Sequence, residues 1–128
     1  MTRDVATLSA DASVEDALAV MRERGIRHLP VVRDGRCCGL VDARLVAVAQ
    51  LADDVSDQRT VVDLMTHYLP QVPIDADLSR VARLVRDSGC DAVVVVDASD
   101  QLLGIVTAAD LVDALAGRAV PRPGPVQP

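Results

Sequence analysis

Apolar residues along this chain follow two rhythms in turn, and the sequence of rhythms occurs twice. Val14, Ala17, Leu18 and Met21 recur at helical spacing and mark one face of a helix. Ser13, followed by Asp16 one turn on, reads as a capping box at its start, and Gly25 stands where a C-cap glycine belongs. Continuous apolar runs come next. Leu29 to Val32 predicts a buried strand, Asp34-Gly35 a turn, Cys37 to Val41 a second strand, and Arg44 to Leu51 a closing helix. The second half repeats this. Asp77 is the N-cap; Leu78, Val81, Ala82 and Val85 form the stripe; Gly89 ends it. Strands at Val93 to Val96 and Leu102 to Val106 flank a turn at Ala98 to Asp100, and a helix is expected over Ala109 to Ala116. With a short leading strand, each unit reads strand, helix, strand, strand, helix.

The residues themselves repeat as well as the pattern. Met1-Thr2 recurs as Met65-Thr66, Asp11-Ala12 as Asp75-Ala76, Gly25 as Gly89 and Val31-Val32 as Val95-Val96, all at an offset of 64. One inserted residue later, Gly39-Leu40-Val41 recurs as Gly104-Ile105-Val106. A constant offset means one supersecondary unit used twice. We therefore expect an α/β fold of two β-α-β-β-α repeats packed through their sheets about a pseudo-twofold axis, with ligand grooves between them. The first repeat spans residues 1–52, an acidic linker (Asp53, Asp54, Asp57) 53–60, the second repeat 61–117, and a proline-rich tail, read as disordered, 118–128. A short helix is expected at Val61 to Met65. Nothing before Met1 matches this lead-in, so the first repeat reads as truncated at its front.

Composition narrows the function. Half the residues are hydrophobic but Tyr68 is the one aromatic, so the core is aliphatic and base-stacking on aromatics is not available. A net charge of −6 argues against a nucleic-acid binder. No apolar run reaches a membrane span. Cys37, Cys38 and Cys90 are odd in number and lack CxxC spacing, which suits half-buried free thiols better than a disulfide framework or a metal cluster. Reduced thiols and the lack of an apolar N-terminal signal point to the cytoplasm. Two histidines, no nucleophile–base constellation and no phosphate-binding glycine motif argue against an enzyme.

The segments Val62-Asp63-Leu64-Met65-Thr66, Ile74-Asp75-Ala76-Asp77-Leu78, Gly25-Ile26-Arg27-His28-Leu29-Pro30-Val31-Val32 and Gly104-Ile105-Val106-Thr107-Ala108-Ala109-Asp110-Leu111, found in order and twice, resemble a tandem pair of CBS (cystathionine β-synthase) domains over residues 1–117. The resemblance implies a regulatory module that senses an adenosine-containing ligand: AMP, ADP, ATP or S-adenosylmethionine. It requires no cofactor.

Gly104 to Asp110 reads as a strand running into a helix. Thr107 near the helix start can donate its hydroxyl to a phosphate, and Asp110 one turn on can accept from ribose hydroxyls. The same two residues also make sense as an N-cap and a first-turn acid with no ligand. By resemblance, the base is expected against Ala12, Ala17, Ile26, Arg27 and His28, with Ile105 beside it. His28 also reads as a half-buried strand histidine, and Arg27 as a surface arginine. The second groove departs from the family pattern: Thr107 corresponds to Asp42 and Asp110 to Leu45, while Asp91 adds negative charge. That groove is expected to refuse phosphate, leaving one competent site. His67 follows Met65-Thr66 in a segment that by resemblance approaches phosphates, and also reads as a solvated loop residue.

A homodimer is implied by the family, through apolar stripes on the second helices (Leu45, Val46, Val48, Ala49; Leu111, Val112, Leu115). A regulated partner protein is a further expectation. Two other readings stay open: a ligand-free structural or dimerisation module, and a regulatory fragment of a larger transporter or enzyme.

Overall fold

In the computed structural model, residues 6–52, 60–66 and 68–117 are described. The expected acidic linker, His67 and the proline-rich tail lie outside them, apart from Thr60. The chain divides into two compact units, Ala6–Tyr68 and, from Leu69, the remainder of the described chain.

In the first unit β1 (Leu8–Ser9), α1 (Val14–Arg24), β2 (His28–Arg33), β3 (Arg36–Asp42) and α2 (Ala43–Leu51) follow the predicted order. The sheet runs β1-β2-β3, with β1 parallel to β2 and β2 antiparallel to β3. Ser13 and Asp16 form the predicted reciprocal cap, each backbone amide donating to the other's side chain at 3.0 Å. Gly25 ends α1 at φ 66°, a left-handed conformation that costs glycine nothing. Val14, Ala17 and Met21 turn inward onto a core with Leu8, Leu29, Val31, Val41 and Val46.

The second unit repeats this with β4 (Gln71–Pro73), α3 (Leu78–Ser88), β5 (Ala92–Val96), β6 (Leu102–Thr107) and α4 (Ala108–Leu115). All five residues of β5 are buried, the predicted run Val93 to Val96 together with Ala92 ahead of it. Val72, Val81, Val93, Val95, Leu103 and Val106 form its core. Both hairpins carry a register shift at the same place, between Val31 and Val32 and between Val95 and Val96. Beyond the shift Val32 pairs with Cys37, and Val96 with Leu102. The residue that changes the repeat offset therefore sits in the second hairpin turn, and the strands on either side keep their registers.

One element differs from expectation. Val61 to Met65 was expected to be a short helix and is a single 3-10 turn at Val61–Asp63. The Thr66 amide, which a continuing helix would use internally, donates to the Leu40 carbonyl instead (2.9 Å), so the helix stops. The sequence repeat and the packing unit also part here. Val61 is fully buried in the first unit's core and its amide donates to the Ala12 carbonyl (2.9 Å), while Thr60 bridges to Ser13.

Candidate functional site

Two helix N-termini are built on one backbone template. Where β6 enters α4, Thr107 has φ −104° and ψ 165°; where β3 enters α2, Asp42 has φ −110° and ψ 160°. Thr107 lies opposite Ala92 in its hairpin, and Asp42 opposite His28. The first helical amide of each helix turns back to the loop ahead of its unit's long hairpin: Ala108 N–H donates to the Asp91 carbonyl (2.7 Å), and Ala43 N–H to the Arg27 carbonyl (2.8 Å).

The side chains then diverge. Thr107 Oγ1 accepts from the Asp110 amide (3.3 Å) and Asp110 Oδ2 accepts from the Thr107 amide (2.8 Å), a reciprocal cap. A hydroxyl that accepts this way still has its own proton to donate, and Asp110 Oδ1 still has lone pairs. Both residues are half-buried, so these groups are held in fixed directions at the edge of solvent. The capping role and a ligand role are thus compatible. At α2, Asp42 Oδ1 accepts from the Leu45 amide (2.9 Å), and Arg44 Nη2 lies 3.5 Å from Asp42 Oδ2. Leu45 can return nothing. The carboxylate itself supplies the negative charge that the helix end favours.

The remaining expected residues lie in both units. Ile105, 3% exposed, pairs with Val94 in the strand leading to Thr107. Ile26, half-buried, packs on the first core; Arg27 is exposed, with its carbonyl held by Ala43; His28 is half-buried opposite Asp42. Ala12 is half-buried and its carbonyl is taken by Val61. Ala17 has no exposed surface, so in this conformation it meets the core alone. Its place on the inner stripe of α1 is the reason.

Sequence reading missed Arg44 as the counter-charge of Asp42, and missed Gly39. A Cβ at Gly39 would fall 2.6 Å from Met65 Sδ and 2.8 Å from the Thr66 carbonyl oxygen, so the glycine admits the chain that crosses it. Its recurrence as Gly104 was the available signal. The cysteines are half-buried free thiols. Burial pushes the Cys37 thiol up to about 11, the opposite of what a reactive thiolate needs. Among the described residues no cluster of His, Cys, Asp and Glu could hold a metal, and no helix is long and apolar enough to cross a membrane.

The family model of the CBS domain matches residues 1–50 and 61–117. An inosine-5'-monophosphate dehydrogenase from Thermoplasma acidophilum is 31% identical over 110 residues, covering 86% of this chain and 21% of the enzyme. The chain spans less than half the length of the first curated relatives it matches (21%, 44% and 22%). Among solved structures, a protein with CBS domains from Burkholderia ambifaria superposes with a TM-score of 0.80 at 26% identity, covering 90% of this chain and 85% of that one. CBSX2, solved in complex with AMP, superposes at 0.75 with 28% identity over 89% of each chain.

Proposed function

Because the chain belongs to the CBS domain family, we propose that it is a non-catalytic regulatory module sensing an adenosine-containing ligand through one competent site at the α4 N-terminus. One observation carries this reading. The reciprocal cap leaves the Thr107 hydroxyl proton and Asp110 Oδ1 uncommitted, on a helix end that favours an anion. Thr107 donates to a phosphate and Asp110 accepts from ribose hydroxyls. Ile105, Ala12, Ala17, Ile26, Arg27 and His28 are the residues that the family pattern nominates for the base. AMP bound to CBSX2 supports the ligand class. ADP, ATP and S-adenosylmethionine belong to the same class and are separated by experiment. The module acts as a homodimer on a regulated protein, and a ligand biases that protein only by binding its two states with different affinity.

A thermal-shift series with AMP, ADP, ATP and S-adenosylmethionine on the wild type and Asp110→Ala tests this. A ligand at ~100 times its dissociation constant stabilises the fold by ~2.7 kcal/mol. The shift should appear for one of them and vanish in Asp110→Ala. No shift from any would favour the ligand-free dimerisation module, which the mutual satisfaction of Thr107 and Asp110 also fits. The small share of the dehydrogenase that the chain spans fits a second reading, a regulatory piece of a larger protein.

A further inference from the structure

The segment Val61 to Thr66 belongs to the second repeat by sequence and, with Thr60 ahead of it, to the first unit by packing. Its attachment is specific at both ends. At one end Thr60 bridges to Ser13, Val61 N–H donates to the Ala12 carbonyl (2.9 Å), and the Val61 side chain is fully buried. At the other, Thr66 N–H donates to the Leu40 carbonyl (2.9 Å), while Met65 lies across Gly39 where a Cβ would be 2.6 Å from its sulfur and 2.9 Å from its Cγ. Residue 39 sits in the middle of β3 and has no unusual φ, so its requirement for glycine is steric. Met65 can move aside, but the Thr66 carbonyl is backbone and cannot do so without lifting the segment.

One feature opposes this seating. Thr66 Oγ1 is, among the described residues, the one buried side-chain polar atom without a hydrogen-bond partner. A hydroxyl shut away from water in this state is a standing penalty on the docked form. We infer that residues 60–66 are a poised strap: a Gly39 notch seats it, the orphaned Thr66 hydroxyl works to release it, and it opens as a local unit while the sheet beneath stays folded. Opening withdraws Val61 from the first core, frees the Ala12 carbonyl and lengthens the free chain ahead of β4.

Amide exchange on the full chain, resolved by residue, tests it with two variants of opposite sign. Gly39→Ala should speed exchange at Val61 and Thr66 by about tenfold or more, since overpacking of this kind favours the open form. Thr66→Val keeps the shape and removes the orphan, and should slow exchange at the same amides by about tenfold. Leu29 and Val41, paired in the sheet below, should be unchanged in both. The strap is overturned if the strand amides move in step with Val61 and Thr66, or if Thr66→Val speeds exchange. It is overturned too if wild-type Val61 and Thr66 exchange as fast as an exposed loop.

Discussion

Converting the α2 N-terminus into a copy of the α4 N-terminus should give the chain a second anion site. The change is Asp42→Thr with Leu45→Asp. The backbone is already in place, because Asp42 and Thr107 share their extended conformation within a few degrees and both helices anchor their first amide in the same way. What separates them is a carboxylate at the position of the hydroxyl and an apolar side chain at the position of Asp110. Two unit charges 4 Å apart repel by ~1 kcal/mol in water and ~4 kcal/mol at an effective dielectric near 20. The Asp42 side chain is 22% exposed, between those limits. Arg44, 76% exposed, is a solvated partner and offsets little of this. Asp42→Thr alone should therefore raise anion affinity at α2 by between about fivefold and about a thousandfold; Leu45→Asp supplies the ribose acceptor and, by returning a carboxylate to the helix end, gives back part of that gain. Threonine also caps helices, so α2 should lose less than ~1 kcal/mol. Isothermal titration with AMP reads the stoichiometry: one per chain in the wild type, two in the double variant. Two equivalent sites in the wild type, or one in a folded double variant that binds as before, would refute the reasoning.

Thr107→Val should cost α4 about 1 kcal/mol through loss of its cap, read by thermal melting, and Thr107→Ser should restore it. Cys37 should resist alkylation near neutral pH and become reactive only as pH approaches about 11. Its folded value lies above the ordinary 9.0, so the native state holds this proton where the unfolded chain has lost it. That contribution is complete below pH 9.0 and is lost as pH rises to about 11; Cys37→Ser should flatten this part of a stability-against-pH curve.

The sequence made some of this legible and hid the rest for physical reasons. Helix ends were readable because their determinants are local: Ser13 with Asp16, Asp77, Gly25 and Gly89 all act within a turn of themselves. The β5 strand was readable because four consecutive valines fit a strand covered on both faces. At α4, Thr107 and Asp110 were recognised as a pair, but only coordinates show that capping leaves a proton and a carboxylate oxygen to spare. The turn at Val61–Asp63 misread as helix because its end is dictated by Leu40, on a distant strand. Gly39 was opaque for the same reason, since what it must admit arrives from Met65 and Thr66. The family pattern nominates Ala17 as a ligand contact from its slot in sequence, and only coordinates show that its place on the inner stripe of α1 leaves it no exposed surface in this conformation.

The two hairpins differ by one residue at the tip and agree in the strand register below it. Ala98, Ser99 and Asp100 are exposed, and Asp97 closes the turn by accepting from the amides of Ser99 (2.8 Å) and Gln101 (3.0 Å). Because the register of β5 and β6 is pinned below the tip, extra length there does not propagate to Gly104, Thr107 or Asp110. The chain thus carries a natural insertion port. A short reporter peptide or a single labelling cysteine placed between Ser99 and Asp100 would ride on the strand that feeds α4, and would report on that helix without touching it.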